Sequence, residues 1–313
     1  MIMVLDVGVS ISAYDEAADM ERLQLKLKKI ESLGFQAVEI PVQGMQLLKN
    51  GVLNMERLSQ YKEILQLFNL QYALHLPDYL DLSRPTDPQV EKDILFASID
   101  VAEELGVRTL VYHPVRFIGE EQFLHSQSWP VFNAEEKEKI LFEERQILTA
   151  AGEQAKKSNL VIGMENMRPF LDRSDYCYAV NPGLLVGQVS EINHSHVGLT
   201  LDVGHLHIAT NMYNLDFKEQ LMLMAPYLVH LHIHDNFGKA CFSTEKNQHE
   251  LIPQGRGDMH APIGSGSVPF DLVLEWLPDT YNGMMIHELR SLYEGRWSEI
   301  ASELSKDSAR FTQ

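Results

Sequence analysis

The chain is poor in cysteine, in positive charge and in long apolar runs. Two cysteines, Cys177 and Cys241, stand far apart among 313 residues and in no C-x-x-C spacing. That argues against a disulfide framework and against a thiolate zinc site, and it fits a reducing compartment. Lys and Arg number 26 against 44 Asp and Glu, a formal charge of −18, which disfavours binding to nucleic acid or to an anionic membrane surface. No apolar run is long enough to span a bilayer. The first strand-like stretch lacks a basic region before it and meets Asp15 and Glu16 after it, so no signal peptide is expected and the cytoplasm is the expected location. A glycine-rich phosphate turn is missing as well. Val7-Gly8-Val9-Ser10 is no G-x-G-x-x-G, which argues against an open dinucleotide-binding sheet.

What is present is a repeated alternation of short apolar runs with longer segments of helical period. Strand-like runs are expected at 4–9, 37–41, 72–76, 109–112, 160–164, 197–201, 228–236 and 283–287. Helices are expected at 16–33, 55–68, 88–105, 134–157, from Asn181-Pro182 onward, near 217–224 and around 297–304. An insert rich in aromatics (Phe117, Phe123, Trp129, Phe132) interrupts the fourth unit. Eight strand-then-helix units with no linker or low-complexity tract point to an α/β fold, a single (β/α)8 TIM barrel over residues 1–313 with long loops at the C-terminal face of the strands.

In such barrels the active site lies at the carboxyl ends of the strands. Those ends carry His75, His113, Glu165, Asp202 with His205, and Glu288; the loop after the seventh strand adds Asp258 and His260. The seventh strand carries His230, His232 and His234, which alternation sends to one face, and parity alone does not choose among them. A lone histidine at a strand end is more often a hydrogen-bonded structural residue than a ligand. Placing all of these groups independently at one rim is harder to explain, and mixed imidazole and carboxylate donors suit zinc, manganese, cobalt or iron. His194 and His196 precede a strand, at the wrong end. Arg168, Arg256 and Trp129 fall near the same rim and suit a polar or anionic substrate, although a solvated surface is the default for the two arginines.

The segments Leu199-Thr200-Leu201-Asp202-Val203-Gly204-His205, His232-Ile233-His234-Asp235-Asn236, Asp258-Met259-His260 and Pro262-Ile263-Gly264-Ser265-Gly266 resemble the xylose isomerase-like TIM barrel superfamily, over nearly the whole chain. That superfamily includes sugar and sugar-phosphate isomerases and epimerases and endonuclease IV. In its epimerase branch the resemblance implies Glu165, Asp202, His232 and Glu288 as ligands of one divalent ion, zinc first. A sugar or sugar phosphate would then be isomerised or epimerised through a metal-stabilised enediolate, with Glu165 and Glu288 moving the proton. In the endonuclease IV branch it implies three zinc ions held by those four together with His75, His113, His205, Asp258 and His260, and hydrolysis of a phosphodiester. The chain departs from that branch: Asp202-Val203-Gly204-His205 stands where those proteins have Asp-Thr-Cys-His, and Glu288-Leu289-Arg290 where they have Glu-Thr-Pro. The resemblance selects His232 as the ligand of its strand and leaves His234 as a substrate or outer contact. A homo-oligomer is compatible with this composition.

Overall fold

The computed structural model describes residues 6–12, 17–84, 87–125, 127, 129–245 and 248–302. Eight parallel strands, β1 (Asp6–Ser10), β2 (Ala37–Pro41), β3 (Gln71–His75), β4 (Thr109–Tyr112), β5 (Val161–Glu165), β6 (Val197–Asp202), β7 (Leu228–Ile233) and β8 (Met284–His287), pair each with the next, and β8 closes on β1. The helices behind them are α1 (Met20–Ser32), α2 (Met55–Leu65), α3 (Pro88–Leu105), α4 (Ala134–Ala155), α5 (Pro182–Ile192), α6 (Val203–Tyr213), α7 (Phe217–Met224) and α8 (Phe270–Trp276). The expected helix at 297–304 is helical through residue 302, and its end lies outside the described residues, as does the start of the expected first strand at 4–5.

Local chemistry places the helix ends. Asp19 caps α1 through Glu21 and Arg22 amides, and the helix buries Leu23, Leu27 and Ile30, one stripe at helical spacing. Asn133 and Glu136 form a capping box at α4. Asn181 caps α5 with Pro182 as its first residue. These stripes pack on the outward strand residues to form the main core.

Two elements differ from expectation. Residues 203–213 form α6, directly after β6; nearly every side chain from Val203 to Thr210 is buried, so no polar stripe marks its period. A short hairpin pairs Leu48-Lys49 with Val52-Leu53. Asn50 (φ 51°) and Gly51 (φ 75°) turn it, the left-handed pair that a two-residue hairpin requires.

Strand parity organises the barrel interior. Ala37, Ala73, Met284 and Ile286 form a small apolar cluster apart from the main core. Two residues further along come Glu39 and His75, and Glu288 just past the end of β8, so alternation sends these side chains inward, toward the carboxyl rim.

Candidate metal centre

The rim gathers the nine expected ligands into adjoining groups. Ligand atoms of Glu165, Asp202, His232 and Glu288 all lie within 4.8 Å of one another, and so do those of His205, His234, Asp258 and His260. Glu165 ends β5 and lies at the centre. Its Oε2 is 3.5 Å from His75 Nε2 and 3.2 Å from His113 Nε2, and its Oε1 is 3.5 Å from both His205 Nδ1 and His232 Nδ1. Glu288 Oε2 lies 3.4 Å from the same His232 Nδ1.

Most of the imidazoles have one nitrogen held by the protein and the other turned to a carboxylate. His75 Nδ1–H donates to the Leu76 carbonyl (2.7 Å), His205 Nδ1–H to that of Asn166 (2.9 Å) and His260 Nδ1–H to that of Glu288 (2.9 Å). His232 Nε2–H donates to Glu39 Oε2 at 3.0 Å. Each of these bonds fixes a ring orientation and turns the other nitrogen to the cluster, where it would offer a lone pair once deprotonated, the posture of a metal-binding histidine with an outer hydrogen bond. His113 is the reverse. Arg116 Nη2, which can only donate, lies 3.2 Å from its Nδ1, so the proton sits on Nε2 and points at Glu165.

Glu39, Glu165, Asp202 and Asp258 are all at most 2% exposed, and buried carboxylates require compensating positive charge. Burial alone would raise Glu165, but His232 and His113 outweigh it and hold the carboxyl well below its usual range. The same contest lowers Asp202 and Asp258, the latter through His260 and His205. Conversely burial would lower His75 and His205, but Glu165 and Asp78 push the first up to about 10, and Asp202 and Asp258 do the same to the second. Three or four lone-pair nitrogens and carboxylates converging in a buried space form a donor set that fits a divalent cation.

Several positioning residues escape a reading of strand ends. Glu39 also accepts from His230 Nε2 at 3.0 Å; its signal is a single carboxylate inside the apolar strand Ala37–Pro41. Asn166 grips Asp202 through both its amide and carbonyl (2.8 and 2.9 Å). Asp202 itself caps α6 through the His205 amide at 2.7 Å. Asp235 points away from the cluster and accepts from the Gly264, Gly266 and Val268 amides, fixing the loop that follows His260.

The expected substrate contacts separate. His234 Nε2 lies 3.0 Å from Asp202 Oδ1, and Arg168 Nη1 3.4 Å from Asp258 Oδ2. Arg256 pairs instead with Glu245, and the Trp129 indole donates to the Gln122 carbonyl beneath the Arg173 guanidinium. Phe123 packs edge-on against Phe170 and Tyr176, which lie tilted to each other, as loop core. His194 pairs with Glu153, and His196 donates to Leu160 at the opposite end of the barrel.

A closed barrel of eight parallel strands whose carboxyl rim concentrates imidazoles and carboxylates defines an α/β barrel with a candidate metal centre on its catalytic face. The chain belongs to the xylose isomerase-like TIM barrel family, whose model matches residues 27–312. It is 26% identical over 289 residues to an uncharacterized protein of Methanocaldococcus jannaschii, covering 90% of this chain and 85% of that one. Among solved structures it is similar to a D-tagatose 3-epimerase-like protein (TM-score 0.68, 24% identity, 98% and 97% of the two chains). It is also similar to a 3-keto-D-glucoside 4-epimerase from E. coli (TM-score 0.64, 14% identity, 97% and 100%). At these identities the likeness is one of fold.

Proposed function

We propose that the protein is a divalent-metal-dependent isomerase or epimerase acting on a polyhydroxy carbonyl compound, a sugar or sugar phosphate. The observation that carries this reading is the convergence of Glu165, Asp202, His232 and Glu288 within 4.8 Å at the catalytic rim, with both glutamates reaching the same nitrogen, His232 Nδ1. The sugar epimerases among the similar folds support it.

Those four residues would hold the ion, zinc first, with manganese, cobalt or iron as alternatives. A bound ion supplies a Lewis acid for the substrate carbonyl and its neighbouring hydroxyl. Glu165, ionised because imidazoles surround it, takes the proton from the carbon between them. Glu288, its side chain 26% exposed and beside His232, returns a proton to that carbon. Arg168, beside Asp258 and partly exposed, meets a hydroxyl or phosphate oxygen of the substrate.

The test is chromatography of a panel of ketoses and ketose phosphates after incubation with metal-loaded protein. The reading expects a new epimer or isomer, abolished by a chelator, and Glu288→Gln protein that still binds metal but turns over at least about 100-fold more slowly. No new product from any member would sink it. The gathering of all nine ligands favours a second reading, a multi-zinc phosphodiesterase. The proton on His113 Nε2, opposite to what a ligand needs, weighs against it. Metal-dependent nicking of abasic duplex DNA would establish it.

A further inference from the structure

One corner of the rim has the spacing of a metal site but the wrong proton. Ligand atoms of His75, Asp78 and His113 lie within 4.8 Å of one another, yet a ligating imidazole must offer a lone pair. His75 can do so at Nε2, because its Nδ1–H goes to the Leu76 carbonyl. At His113 the arrangement is opposite. Arg116 Nη2 lies 3.2 Å from His113 Nδ1 and 2.8 Å from the Asp78 carbonyl, which engages both of its hydrogens. Arg116 Nη1 faces the Leu80 carbonyl at 3.5 Å, and Nε lies 4.0 Å from Glu120 Oε1. The guanidinium is thus held on three sides in a residue only 4% exposed, and arginine neither accepts a hydrogen bond nor gives up its charge. With Nδ1 accepting, the proton of the ring sits on Nε2.

That proton faces Glu165 Oε2 at 3.2 Å. The oxygen is buried and takes no well-directed hydrogen bond from any described residue, so the nearest N–H, that of His113, is the donor available to it. Glu165 Oε1 faces the other way, 3.5 Å from His205 Nδ1 and His232 Nδ1. We infer that Arg116 is a positioning residue that locks His113 as an Nε2–H donor to Glu165, so that this corner of the rim holds the carboxylate and not an ion. A carboxylate whose outer oxygen is hydrogen-bonded keeps its inner oxygen directed at a bound ion. Arg116 stands three residues after His113, in the loop that leaves β4, and it is this local pair that sets the tautomer. The inference concerns the placement of a proton and does not depend on the reaction proposed above.

The test uses the full chain with nitrogen-15-labelled histidine, stripped by a chelator and then loaded with zinc alone. Long-range proton–nitrogen correlations in NMR separate a ring nitrogen that carries a proton from one with a lone pair or a bound metal. His113→Gln identifies the His113 signals by their loss. In stripped and loaded wild-type protein alike, Nε2 should carry the proton and Nδ1 the lone pair; an unprotonated or zinc-bound Nε2 overturns the inference. Glutamine keeps an N–H near the Nε2 position, so the zinc content of His113→Gln at saturation should match wild type, and loss of one ion per chain overturns the inference. His113→Phe removes the donor and should weaken the ion of the Glu165 group roughly 10–100-fold, with glutamine recovering most of that. Equal weakening by both overturns the donor role. Arg116→Met should release the lock and let the Nδ1–H form of His113 appear; a spectrum unchanged from wild type overturns Arg116 as its cause. If Arg116→Met fails to fold, the wild-type spectra and the glutamine variant still decide.

Discussion

Replacing Glu39 by glutamine tests how the barrel interior prepares its rim. Glu39 Oε2 accepts from Nε2 of both His230 and His232 at 3.0 Å, in a layer that solvent does not reach. Burial would raise this carboxyl, but His232 and His230 hold it far below the usual range and favour the carboxylate. Glutamine preserves the volume and can set its carbonyl oxygen where Oε2 stands, in reach of both imidazoles, but that oxygen is neutral. Both charge-assisted bonds are then replaced by weaker neutral ones, and His232 loses the negative partner that supports its Nδ1 as a donor to the Glu165 group. Loss of a charge-assisted hydrogen bond to a buried donor costs about 1.5–3 kcal/mol. Ion affinity should fall roughly 10–100-fold, as for other outer partners of metal-binding histidines. Competition against a chromophoric chelator measures the affinity, with urea unfolding and circular dichroism as controls on the fold. A folded Glu39→Gln protein that binds zinc within about twofold of wild type would refute the reasoning.

Three further outcomes are expected. His75 and His205, pushed up to about 10 against their burial, carry protons in the metal-free protein at neutral pH. A ligand must be deprotonated, so zinc binding should release protons and tighten as pH rises toward 10; equal calorimetric heats in buffers of different ionisation enthalpy would contradict this. The sign for folding is opposite. Their contribution to the metal-free fold is complete below the ordinary imidazole value near 6.5 and lost as pH climbs through about 10, so chelated protein should weaken in alkali more than loaded protein. Away from the rim, buried Glu144 accepts from Tyr112 Oη, Tyr178 Oη, the Val115 amide and Gln188 Nε2. Glu144→Ala strands three or four buried donors at about 1–3 kcal/mol each, so urea unfolding should show a loss above about 3 kcal/mol; a loss under about 1 kcal/mol would show that water fills the gap.

The eight strands were legible because each is a short apolar run followed by a polar residue and a helical period. The cluster of candidate ligands was legible as a group because barrel rims sit where those runs end. Three features were hidden for physical reasons. Helix α6 is buried on all sides, so its residues carry no alternating stripe. Glu39 lies in mid-strand, and its partners are on β7, 191 and 193 positions away. The His234 ring lies against Gly204, where a side chain would not fit, a contact between the residue after β7 and the first turn of α6 that no local pattern encodes. The rim cations also divided only in three dimensions: Arg290 clamps the carbonyls of Asp258 and Met259, and Arg256 is taken up by Glu245.

Solvent deuterium uptake tests the central claim most directly. Metal-loaded protein in heavy water should place deuterium on the carbon beside the carbonyl of at least one ketose or ketose phosphate. That uptake should vanish with chelation and in Glu288→Gln protein that retains its metal. Absence of exchange across the panel, with metal-dependent cleavage of a phosphodiester in its place, would contradict the account.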